Sequence, residues 1–151
     1  MGCDIHIKAQ KCIDGVWQDI LGLNPFNWRS YGMFAFLADV RNYSFVPSIA
    51  PIRGLPVDIV YDSEESDDWT YGEHSFSWLS LKELIDFDYD QVFEDRRCMR
   101  DGNGAADSGP GNGVQTTFRK FLGPLFFRDI AIMQCLRREP EHVRIVFGFD
   151  N

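Results

Sequence analysis

MGCDIHIKAQKCIDGVWQDIL, residues 1–21, decides the fold class. Ile5, Ile7 and Ala9 alternate with Asp4, His6 and Lys8, the period of two that marks a strand with one apolar face. This strand is expected to run from residue 3 to residue 13. Asp14-Gly15 then supplies a two-residue turn that tolerates positive φ, and residues 16–21 return as the second strand of a hairpin. In that register Asp4 and His6 share a face with Cys12 and Trp17. Ile5, Ile7 and Ala9 share the other, drier face with Val16 and Ile20, and Cys3 points with the isoleucines.

The far end of the chain supplies a partner for this hairpin. In VRIVFGFDN, residues 143–151, Val143, Ile145, Phe147 and Phe149 alternate with Arg144, Val146, Gly148 and Asp150. A strand apolar on both faces belongs in the middle of a sheet, here beside the first strand. Between the two ends the pattern turns helical. Tyr31, Phe34, Leu37 and Ala38 form one stripe within residues 29–41, and Ser80 with Glu83 makes a capping box that opens a second helix. Phe118, Phe121, Leu122, Leu125 and Phe126 group on one side of a helical stretch from Thr116, where Pro124 suits the first position of a new helix. VDIVY at 57–61 reads as a short strand or the approach to one. The expected fold is a single α+β domain spanning residues 1–151. Its antiparallel or mixed sheet holds the N-terminal hairpin and the C-terminal strand, with about three helices packed on it.

Composition narrows the function. The 151 residues carry a formal net charge of −8, which argues against a general grip on duplex nucleic acid. A local basic pocket for a small anionic ligand remains compatible with that charge, as does a protein partner with a basic face. The four cysteines, Cys3, Cys12, Cys98 and Cys135, include no CxxC pair and read as reduced thiols of a cytoplasmic protein. No apolar run reaches membrane-spanning length, no signal peptide opens the chain, and His6 stands where a myristoylation motif needs Ser or Thr. The run DSEESDD at 62–68 reads as a solvated acidic loop, and residues 101–113, with five glycines, as a flexible loop without the ending of a P-loop. DFDYD at 86–90 imitates an EF-hand, but Gln91 stands where the loop needs Gly and Arg97 where it needs Glu.

The residues that can carry chemistry are few, because the chain has three histidines. Asp4 and His6 stand side by side on one strand face. His74 sits just before a helix start, and Asp150 ends the last strand. Asp4, His6 and His74 are the expected catalytic centre, and with Asp150 they are the candidate ligands for a divalent metal (Mn, Zn or Mg). Arg53, on the stiff Arg-Gly-Leu-Pro bend at 53–56, is the expected phosphate grip, with Arg29 as a second cation. Tyr71 and Trp78 offer stacking faces for a base. The opposing reading is that the aromatics are core and the arginines surface ion pairs. Cys3 and His6 point to opposite faces, so they do not form a Cys-His dyad.

The D-x-H at 4–6 resembles the start of the calcineurin-like phosphoesterases, but the GD and GNH motifs that should follow are absent. The H-x-H of PHP and amidohydrolase enzymes is replaced by His6-Ile7-Lys8. A resemblance that covers the chain end to end is carried by MGCDIH (1–6), RGLP with Asp58, HSFSWLSLKEL (74–84), FLGPLFFRDI (121–130) and VRIVFGFDN (143–151). On these stretches the chain resembles a group of uncharacterised phage and bacterial proteins that begin MGCDIH and end VRIVFxFDN. The resemblance implies a phage setting, in which small acidic proteins serve as accessory factors that counter host defence. The expectation is a pocket protein that binds a small nucleotide or phosphoester and hydrolyses it with metal assistance. The alternatives are a non-catalytic nucleotide sponge and an acidic inhibitor of a host defence protein.

Overall fold

The computed structural model describes residues 2–59, 70–97 and 113–151. The acidic run at 62–68, Cys98 and nearly all of the glycine-rich loop lie outside the described residues. Among those described, six strands form two antiparallel sheets, accompanied by four α-helices, so the chain is α+β. No described helix is long and apolar enough to cross a membrane. Residue contacts group into two compact units. One comprises Met1–Arg29, Ile52–Phe87 and Leu125–Asn151, and the other Ser30–Pro51 and Asp88–Pro124.

The first unit is built on a four-stranded sheet. The alternating N-terminal segment forms β1 (Ile5–Ile13), and the Asp-Gly turn, with both residues at positive φ, returns it as β2 (Val16–Asp19). β2 is shorter than the sequence suggests. Leu21, past the end of β2, is 91% exposed, and Val16, next to the turn, is 59% exposed, so the tip of the hairpin lies in water and Val16 does not join the dry face. With β3 (His74–Ser80) and β6 (Val143–Phe149) the order is β2-β1-β6-β3, and every neighbouring pair is antiparallel. All of β6 is buried, as a central strand apolar on both faces requires.

Pairing sets which side chains share a face. Ile5, Ile7 and Ala9 stand opposite Phe149, Phe147 and Ile145, and those in turn stand opposite His74, Ser77 and Leu79. His6, Lys8 and Gln10 stand opposite Gly148, Val146 and Arg144 on the other face, where Trp78 and Ser80 complete the row. A bulge between His74 and Ser77, with Ser75 at φ 56, absorbs one extra residue of β3. Ser80 ends β3 and opens α2 (Leu81–Asp86) through the expected capping box. Its Oγ accepts from the Glu83 N–H at 3.1 Å, and Glu83 accepts from the Ser80 N–H at 2.8 Å. α4 (Pro124–Gln134) buries Phe126, Ile130 and Met133. Phe126 stacks on Phe26 at 4.7 Å, and the Asp129 carboxylate accepts from the Phe26 N–H at 2.8 Å. Residues 57–59 form a turn rather than a strand, closed by the Ile59 N–H on the Pro56 carbonyl at 3.1 Å.

The second unit holds α1 (Tyr31–Ala38), a ribbon of β4 (Val92–Asp95) with β5 (Val114–Thr117), and α3 (Phe118–Leu122). α1 does not bury a stripe. Gly32 through Ala38 are all buried, as befits a helix apolar all round. Ser30 caps its start, and Asp39, at φ 58, ends it. Thr116 belongs to a strand and not to a helix. The helix begins only at Phe118, because Thr117 turns its side chain to cap it, accepting from the Lys120 N–H at 3.1 Å. Phe36, Phe93 and Phe118 pack together, with centroids at 5.7 Å and 4.7 Å from Phe118.

Candidate functional site

The open end of β1 and β6 gathers the polar groups. Beyond the last ladder pair the Asp150 N–H donates to the Asp4 carbonyl at 3.1 Å, which continues the pairing by one step. Asp4, His6 and Asp150 therefore share a face, with His6 diagonal to Asp150. The His6 Nε2 lies 2.7 Å from Asp150 Oδ2, and Asp150 Oδ1 accepts from the Asp4 N–H at 3.0 Å. The Asp4 carboxylate takes a two-pronged grip from Arg29, at 2.8 Å and 2.7 Å. Neither partner of that exposed pair is constrained by burial, whereas the His6 and Asp150 side chains are only 29% and 24% exposed.

The charges at this end define the proton inventory. The hydrogen bond from His6 holds the Asp150 carboxyl below its ordinary range, although desolvation pulls the other way and the Asp4 N–H adds to the lowering. Asp4 is held low by its hydrogen bonds from Arg29. Asp150 is thus an anion at neutral pH and can only accept, so the hydrogen on Nε2 belongs to His6. A neutral imidazole then carries its lone pair on Nδ1, for which the described residues supply no hydrogen-bond partner. A carboxylate-oriented imidazole with one open nitrogen can take up a proton, hold a water or ligate a metal.

Three glycines make this packing feasible, and the sequence reading gave none of them a part in the site. A Cβ on Gly2 would lie 2.6 Å from the Arg29 guanidinium, and one on Gly72, at φ +81, would meet the Phe149 carbonyl and lie 3.1 Å from the His6 ring. At Gly148, directly opposite His6, a Cβ would overlap the Tyr71 carbonyl and the Phe76 ring. Segment 71–73 can lie against the sheet beside His6 only because those positions lack side chains. The sequence signal was present as Gly72 after Tyr71 and Gly148 inside a strand, a position where glycine marks close approach of another backbone.

The other expected residues lie elsewhere. His74 pairs with Phe149 and stacks on its ring at 6.3 Å, so it stands on the sheet face opposite to His6. The two imidazoles are not brought together. His74 Nδ1 bonds Ser75 Oγ at 2.9 Å, and its buried Nε2 has no hydrogen-bond partner among the described residues. Arg53 lies over the Trp78 ring at 4.6 Å. It donates to the Trp78 carbonyl at 3.1 Å and grips Glu83 of the capping box with both terminal nitrogens. Trp78 shares the face of His6, opposite Val146. Tyr71 is buried, with Lys8 Nζ 5.9 Å from its ring centroid. Among the described residues, no group of three or more His, Cys, Asp or Glu side chains is arranged to hold a metal ion.

Cys3 is buried, Cys12 half-buried and Cys135 exposed. Comparison with known proteins finds no matching family model, no similar curated protein and no similar solved structure.

Proposed function

We propose that the chain binds a small nucleotide or other phosphoester at the open end of its central sheet and acts on it with His6. The observation that supports this reading is the His6–Asp150 pair, which holds the imidazole through Nε2 and leaves Nδ1 without a hydrogen-bond partner among the described residues. In a hydrolytic reaction Nδ1 takes the proton of the attacking water, whose oxygen bonds to phosphorus as the ester P–O bond breaks and the leaving oxygen is protonated from solvent; Asp150 steadies the resulting imidazolium, and Arg29 offers a cation to the phosphate oxygens. Arg29 would exchange Asp4 for the ligand, which the half-exposed state of that pair favours. Lys8, two residues along the same face, offers a second positive charge. As an alternative to this base role, His6 Nδ1 would be the nitrogen ligand of a divalent ion (Mn, Zn or Mg), which would then activate the water in place of the imidazole and polarise the phosphoryl group. His74 and Arg53, by their positions, act as framework in this reading, and Tyr71 and Trp78 border the site. The setting we infer is that of a phage accessory protein acting in the host cytoplasm against a nucleotide signal.

The test is to incubate the protein with a panel of cyclic and linear nucleotides, with Mn²⁺, with Zn²⁺ and with EDTA, and to follow the small molecules by mass spectrometry. Conversion by the wild type that is lost in a folded His6→Ala variant supports the proposal. Depletion of a nucleotide with full recovery after denaturation replaces hydrolysis by sequestration. No change in any nucleotide rejects both and leaves an acidic inhibitor of a host protein.

A further inference from the structure

Arg144 is a buried cation that the His6 site does not use. It sits on the central strand with its side chain 6% exposed, where the next residues on the same face are Val146 and Gly148. Burying a guanidinium is costly unless it is paired and hydrogen-bonded, and an apolar side chain would serve the core at least as well. The surroundings of Arg144 are built to hold the group in one orientation. Its guanidinium lies 4.1 Å from the centroid of the Trp17 ring, and its Nε donates to Gln10 Oε1 at 2.8 Å. Gln10 is itself fixed through its Nε2 on Asp19 at 2.8 Å, and Asp19 is fixed by Lys8 at 3.1 Å.

The counter-ion is of a different kind. It does not come from the sheet. Asp58, on the turn at 57–59, reaches Arg144 through one bond from Nη2 at 3.1 Å and is 43% exposed. A rigid, buried fork that could grip an oxyanion with two nitrogens is thus met by a half-exposed carboxylate on one.

We propose that Arg144, oriented by Trp17 and Gln10, is an anion-recognition site for a phosphate group of the ligand other than the one that reacts beside His6, and that the Asp58 carboxylate occupies it as an internal stand-in which the ligand displaces. The inference adds a recognition subsite to the anionic-ligand reading above and rests on that reading. Binding is read at Arg144 and turnover at His6, so either can fail alone.

The experiment measures binding of inorganic phosphate and of a nucleoside monophosphate by calorimetry, at constant ionic strength. The proteins compared are wild type, Asp58→Asn, Arg144→Gln, the double variant of these two, His6→Ala, and His6→Ala combined with Asp58→Asn. Removing an internal competitor raises the population of the open receptor, so Asp58→Asn is expected to bind about tenfold tighter than wild type. The gain should vanish in the double variant and survive in the His6→Ala background. A monophosphate that binds tighter than inorganic phosphate makes the ligand a nucleotide, and equal affinities make it phosphate itself. Thermal midpoints provide a second reading if Asp58→Asn is weakly folded, since phosphate but not chloride should raise them. Asp58→Asn binding no tighter than wild type, or a gain that persists without Arg144, overturns the proposal and leaves a plain ion pair.

Discussion

The two faces of the four-stranded sheet use the same strands for opposite ends. On one face Ile7, Ala9, Ile145, Phe147, Phe149 and Leu79 are almost wholly removed from water. On the other, alternate residues of those strands carry His6, Lys8, Gln10, Arg144 and Trp78, and polar groups at the strand ends add Asp4 and Asp150. The dry face supplies stability through area removed from water. The polar face costs stability wherever charge is buried, and recovers it only by exact pairing of each cation. The contrast therefore separates residues whose loss should unfold the chain from residues whose loss should silence the activity we propose.

The largest effect should follow from damage to the dry face. Phe147→Ala empties a fully buried site and should cost about 3–5 kcal/mol in urea denaturation. A cost below about 1 kcal/mol would mean that this face is not the core. A side chain added on the polar face comes next. Gly148→Ala would drive a Cβ into the Tyr71 carbonyl and should cost about 1–3 kcal/mol. It should also shift the His6 ring resonances, because segment 71–73 must move. Ser80→Ala removes the cap of α2 and should cost about 1 kcal/mol by the same denaturation measurement.

Much of the framework was legible because local rules agreed with the tertiary fold. The period of two over residues 5–13, the Asp-Gly turn, the capping box at Ser80 and Glu83, and a C-terminal strand apolar on both faces all formed where expected. The β4–β5 ribbon was hidden. Val92–Asp95 and Val114–Thr117 are only four residues each, and they pair across a long separation that no local pattern announces. α1 was read as amphipathic because its length was overestimated at 29–41, whereas the eight residues that form it are almost all apolar. In the site, the shared face of Asp4 and His6 followed from strand periodicity, and Asp150 from the end of a matching strand. The position of His74 depended on a bulge that resets the side chains of β3, and alternation along the sequence does not reveal a bulge. Arg53 looked available on its stiff turn, but Glu83, thirty residues away, claims it.

The smallest effects on stability belong to the site itself. His6→Ala should change stability by less than about 1 kcal/mol, since the ring is partly exposed and makes one side-chain hydrogen bond, yet it should slow turnover by about 10²–10⁴-fold. Acid should act through Asp150. Its carboxyl lies below the ordinary value in the folded chain, so its contribution is complete above the unfolded value and is lost as pH falls through the folded one. Midpoints of wild type and Asp150→Asn should therefore differ at pH 6 and converge toward pH 2, as thermal denaturation across that range would show.

The central claim is that His6 and Asp150 act as one unit. It is tested most directly by a double-mutant cycle on nucleotide turnover, with His6→Ala, Asp150→Asn and the pair compared with wild type in folded preparations. The account predicts that the double variant is no slower than His6→Ala alone. Losses that add independently, or turnover undiminished in both single variants, would contradict it.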